Sequence, residues 1–158
     1  VRPPAELSLA PAPVPSVGNA APLRERAAAT PRLACEALCR AINRADLDAA
    51  LECFAPGACL VGPQGTAAQG EVALRASLTQ LIEAGAEVQI ELYGVLVAEE
   101  VALAHERWAI SYAGAPDSRL SQAPCPSLVM RLIEGQWRVA IAAPWGTPAS
   151  EPLRAVWP

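Results

Sequence analysis

The sequence predicts an α+β domain in which three N-terminal helices pack on one face of a curved antiparallel sheet. Three observations predict it. The apolar residues of the first half recur at helical spacing, those of the second half alternate or run together as in strands, and one polar turn cluster separates each segment from the next. Helices gathered before a series of strands, instead of alternating with them, separate this class from the parallel α/β folds.

Thr30-Pro31 starts the first helix, since Thr caps free amides and Pro is pre-set for a first turn. Leu33, Ala37, Leu38, Ala41 and Ile42 share a face to about Arg44. Asp46 caps a second helix with Leu47, Ala50, Leu51 and Phe54 in phase, and Pro56-Gly57 is expected to stop it. Ala58 to Val61 reads as a short strand and Gly62-Pro63-Gln64-Gly65 as a turn. A third helix runs from about Gly70, with Leu74, Leu78, Leu81 and Ile82 aligned and Gly85 as its stop. Four longer strands follow at Glu87 to Val97, Val101 to Tyr112, Ser127 to Ile133 and Trp137 to Ala143. The stretch 114–126, with its prolines, is a loop.

Residues 1–29 are a Pro/Ala-rich arm, 30–147 form the domain and 148–158 are a tail. A chain of 158 residues suits one core. Hydrophobic residues make up 53% and charged residues 18%, yet no run reaches the ~18 apolar residues of a membrane span. A net charge of −4 without a basic cluster argues against nucleic acid as a partner. All twelve cations are Arg. Five cysteines, an odd set without framework spacing, read as reduced thiols in a cytoplasmic protein, and no signal peptide is expected. Cys35 and Cys39 lie one helical turn apart, but only His105 could join them, so no metal or cofactor is expected.

The stretch from Asn43 to Gly65, the strand Val101-Ala-Leu-Ala-His-Glu-Arg-Trp and the closing Glu134-Gly-Gln-Trp-Arg-Val-Ala-Ile-Ala-Ala-Pro-Trp-Gly146 occur in a telling order. Together they resemble the SnoaL-like and DUF4440 branch of the NTF2-like superfamily, related to ketosteroid isomerases. The resemblance covers about Pro31 to Gly146. It implies a cone-shaped, cystatin-like fold with a cavity between sheet and helices. In the steroid isomerases a Tyr on the first helix and an acid on a later strand polarise a carbonyl, while a carboxylate after the first strand moves the proton. The matching positions here are Leu38, Ser127 and Gly62, none of which supplies that chemistry. Where the branch often has Asp-Asn before the last Pro-Trp, this chain has Ala142-Ala143.

The resemblance also suggests which strand residues face the cone. On the third strand His105, Arg107, Ala109 and Ser111 are expected inward, and Glu106, Trp108, Ile110 and Tyr112 outward; a slip of one residue exchanges the sets. Ser127, Val129, Arg131, Ala140 and Ala142 are expected inward on the last two strands. The expected ligand site is therefore Arg107, Arg131, Ser127, Ser111, Leu38, Gly62 and Ala142, with His105 as the candidate catalytic residue. Buried cations need partners, so Arg107 and Arg131, with His105, are expected to bind a carboxylate or another small anionic group of a small apolar ligand; pairing of the arginines with Glu87, Glu91 or Glu52, or side chains reaching out to the mouth of the cone, is the competing reading. Trp108, Ile110 and Tyr112 would form an aromatic row at a homodimer interface, which Trp137 and Trp145 extend. Three functions remain open: a ligand-binding homodimer, an isomerase, cyclase or dehydratase using His105 with Arg107 and Arg131, and an association module with a vestigial cavity.

Overall fold

The computed structural model describes residues 28–112 and 127–146. The arm up to residue 27, the tail and the loop expected at 114–126 lie outside the described residues. Element order is α1 (Pro31–Asn43), α2 (Leu47–Glu52), β1 (Phe54–Val61), β2 (Ala67–Gln69), α3 (Glu71–Glu83), β3 (Ala86–Ala98), β4 (Val101–Tyr112), β5 (Ser127–Ile133) and β6 (Gln136–Ala143). Helices stand on one side of a curved six-stranded sheet, as the period change predicts.

Thr30 caps α1, its Oγ1 accepting from the Leu33 amide at 3.2 Å, and Pro31 occupies the first turn. The helix buries Ala34, Cys35, Leu38, Ala41 and Ile42, so its stripe is rotated slightly from the expected one; Leu33 and Ala37 are half-buried. Asn43 ends the helix with a tertiary task. Its side-chain amide donates to the Val88 carbonyl at 2.9 Å and accepts from the Val88 amide at 2.7 Å. It thus replaces a neighbouring strand on the open edge of β3.

Asp46 caps α2 through the Ala49 amide at 3.0 Å. The helix is shorter than its periodicity suggests, because Phe54 pairs with Val139 in β6 and the Val139 amide donates to the Cys53 carbonyl. Pro56-Gly57 therefore sits in a bulge of β1 between Phe54 and Cys59, with Gly57 at φ +74, and does not serve as a helix stop. The three-residue β2, Ala67–Gln69, escaped the sequence reading because alanine has little strand preference.

Sheet order is β2-β1-β6-β5-β4-β3. All neighbours are antiparallel except β1 and β6, which are parallel, so the sheet is mixed where a purely antiparallel one was expected. No hairpin links β1 to β6, and nothing local forces their directions to oppose. Glu134-Gly135 makes the β5–β6 turn with both residues at positive φ. The core lies between the helices and the inner sheet face, filled by Leu38, Leu78, Val88, Ile110, Leu128, Met130 and Val139. Among the described residues no helix is long and apolar enough to cross a membrane.

Candidate functional site

The inner face of β4 is set by burial of its largest apolar side chains. Trp108 is 3% exposed and Ile110 1%, whereas His105 and Arg107 are exposed. This exchanges the two expected sets: Glu106, Trp108 and Ile110 point to the helices, and His105, Arg107, Ala109 and Ser111 line the outer face. On β5 Leu128 and Met130 are buried, so Ser127, Val129 and Arg131 belong to the outer face too. Trp137 is buried as well, not outward as expected, and a bulge around Ala140 returns Ala142 to the interior.

These placements disperse the expected cationic site. Arg107 donates to Glu91 across the strand pair and stands 5.6 Å over the Tyr93 ring, which matches the competing reading of that arginine. Arg131 is exposed, opposite Arg138 in the register. Ser127 is the partner of both His105 and Ala143, and Ser111 that of Glu87. Leu38 is fully buried core. Of the expected ligand set only Gly62 lines the apolar cavity between the sheet and α3, while Ala142 is fully buried opposite Leu60 in the register.

That cavity measures about 550 Å³ and lies between β1, β2, β4 and α3, with Pro144 and Trp145 also in its lining. Its apolar surface comes from Phe54, Leu60, Leu78, Leu81, Trp108 and Ile110. Gln64, Thr66, Ser77, Gln80 and the Tyr112 ring with its hydroxyl add polar points. No residue that lines it is charged. The residues expected at a dimer interface, Trp108, Ile110 and Tyr112, instead form one wall of it. A larger groove of about 720 Å³ runs between α1 and β3 and is lined by the charged Arg32, Glu36, Glu91 and Arg107; Glu91 holds Arg107, and Glu36 lies 3.8 Å from Arg40 outside the groove.

Next to Trp108 on the inner face of β4, and outside the cavity lining, is Glu106, the single buried charged residue among those described, at 3% exposure. Its Oε1 accepts from Trp108 Nε1 at 2.5 Å, and its Oε2 is buried without a hydrogen-bond partner. Burial raises its pKa from 4.5 to about 7, against the opposing effect of the indole N–H. Sequence reading missed it by assigning Glu106 outward. The available signal was binary: its own set on β4 carries Trp108, Ile110 and Tyr112, while the other carries His105, Arg107 and Ser111.

Cysteines cluster nearby but are poor nucleophiles. Burial, then the Glu106 charge, pushes the Cys35 thiol far up, and burial lifts Cys39 and Cys53 to about 11. No group of three or more His, Cys, Asp or Glu among the described residues is placed to hold a metal.

With this geometry in view, the family model of the SnoaL-like domain matches residues 35–139. The chain belongs to the SnoaL-like family of the NTF2-like superfamily. Solved structures agree on the fold of this SnoaL-like protein. A cystatin-like domain of unknown function from Nostoc punctiforme is 19% identical, with 71% of this chain and 72% of that one covered and a TM-score of 0.59. A ketosteroid isomerase-like protein from Erwinia carotovora atroseptica shares 19% identity over 71% of this chain and 89% of its own, with a TM-score of 0.54. An NTF2-like protein of unknown function from Shewanella oneidensis is 19% identical, covering 70% and 91%, with a TM-score of 0.53. At such identities the likeness carries fold and no activity. No curated protein matches the chain.

Proposed function

We propose that this SnoaL-like protein binds a small, uncharged, largely apolar molecule in the cavity between β4 and α3. The observation behind the proposal is a hollow of about 550 Å³ whose lining has aromatic and aliphatic walls, a few polar points and no charge. A carboxylate ligand loses support, because His105, Arg107 and Arg131 belong to the opposite face of the sheet. An isomerase or dehydratase built on those three residues loses it for the same reason, since a general base needs hydrogen-bond reach to its substrate. Titration with naphthalene and naphthoate, followed by quenching of Trp108 and Trp145, tests the reading. Saturable binding of naphthalene alone, abolished by Ala76→Phe in the cavity wall, is the expected result. Equal binding of naphthoate, or binding lost in Arg107→Ala, overturns it.

A second copy of the chain as partner is favoured by a separate observation. The register aligns Leu96, Leu103, Val129, Ile141 and Cys59 in one row across five strands of the outer face. Leu96 is 65% exposed and Ile141 45%. A row of this kind is a natural centre for a self-association surface. Sedimentation of the full chain is expected to give a dimer that Leu103→Glu dissociates; a monomer at tens of micromolar would dismiss the partner without touching the cavity reading.

A further inference from the structure

Trp108 belongs to two environments at once. The residue lines the cavity beside Ile110, and its single side-chain N–H donor is given to Oε1 of Glu106, a neighbour on the same strand face that is not part of the lining. The carboxylate has no other hydrogen-bond donor among the described residues. Among the described residues its neighbours include Leu92, directly opposite on β3, and Cys35 and Cys39 of α1, whose thiol pKa values its charge raises. A buried charged residue with one oxygen unpartnered costs stability, so packing gives no reason for its presence here.

We infer that Glu106 is a specificity-determining positioning residue: by holding the Trp108 N–H out of the cavity, it makes that part of the lining present ring carbon instead of a hydrogen-bond donor. The inference rests on the cavity being a ligand site. With Glu106 in place, a ligand meets Trp108 only through its aromatic surface, and a carbonyl oxygen beside it finds no donor there. Without an acceptor at position 106 the indole N–H loses that partner. It then turns to any acceptor in the cavity, because an orphaned buried donor is the costlier alternative.

The pair ethylnaphthalene and acetylnaphthalene differs chiefly by one carbonyl. Binding of both to the wild type, Glu106→Leu and Glu106→Gln is measured by tryptophan quenching. Glu106→Leu is expected to shift the ratio of affinities about fivefold toward the ketone, the worth of one ordinary hydrogen bond. Glu106→Gln, which keeps an acceptor for the indole, is expected to retain the wild-type ratio. An unchanged ratio in Glu106→Leu overturns the inference and leaves the cavity reading intact; absence of saturable binding of both probes to the wild type overturns the cavity reading itself.

A second measurement needs no ligand and no unstable variant. The Trp108 indole N–H resonance, assigned through Trp108→Phe, should titrate with a midpoint near 7 in the wild type and stay fixed in Glu106→Gln. The Cys35 and Cys39 thiols stay protonated in that range, and Leu92 does not titrate, so the movement reports Glu106. An indole resonance that ignores pH in the wild type would show that the two groups are not joined, and would overturn the inference.

Discussion

Glu106→Gln should make the protein more stable at neutral and alkaline pH. The carboxyl titrates at 4.5 when unfolded and at about 7 when folded, because burial disfavours its charge. The folded state therefore keeps a proton that the unfolded chain has already released throughout that window. Stability from this group is complete below pH 4.5 and is lost as pH rises through about 7. The interval between those two values corresponds to roughly 3 kcal/mol, an upper bound for a group that relaxation and water partly relieve. Gln keeps the shape and the acceptor for Trp108 but has no charge to desolvate. Urea unfolding of wild type and variant, measured in parallel from about pH 4 to pH 9, isolates this contribution, since the thiols and exposed acids cancel in the difference. The expected difference is near zero at the acid end and grows to about 2 to 3 kcal/mol in favour of Gln above neutrality. A difference that does not vary with pH would refute the reasoning, and one of opposite sign would mean that the indole hydrogen bond outweighs burial.

The edge of β3 offers an independent test: Asn43→Ala removes both side-chain hydrogen bonds to Val88 and should destabilise the domain by about 1 to 3 kcal/mol, read by urea unfolding with hydrogen exchange at Val88. Asn43→Asp should recover part of the loss, because one carboxylate oxygen still accepts from the Val88 amide. In the apolar row of the outer face, Leu103→Glu should sediment as a monomer at concentrations where the wild type is expected to sediment as a dimer.

Chain order and element type were legible because they rest on local chemistry. Thr30, Asp46 and Gly70 stand at the three helix starts, and β4 and β5 begin and end where the alternation says they should. What misled was the phase of the strands. The facing of β4 and β5 was borrowed from the family's site positions, and a one-residue offset turned every side chain over. Size and polarity in the strands themselves argued the other way: Leu128 and Met130 on one parity of β5, Arg131 on the other. The end of α2 and the existence of β2 depend on distant partners in β6 and β1, which no local pattern contains.

The polarity of a cavity in this fold is decided at a few positions, and here two of them act together. Gly62 lines the hollow without a side chain, although a Cβ there would come no closer than 3.4 Å to the Thr66 carbonyl. A Cβ therefore fits at this position, and the cavity gains no charge from it because the residue is glycine. Glu106 supplies a buried carboxylate outside the lining, at a cost in stability that its protonation state tracks. A chain selected for core packing alone would carry an apolar residue at position 106, given the buried Trp108 and Ile110 beside it. Retaining an acid there, tied to a residue of the cavity wall, is the kind of local rule-breaking that binding sites sustain and plain cores do not. The same arrangement leaves the cavity lining uncharged although an ionisable group lies one side chain away: Glu106 is not part of the lining, and Trp108, which is, gives its only side-chain donor to the acid.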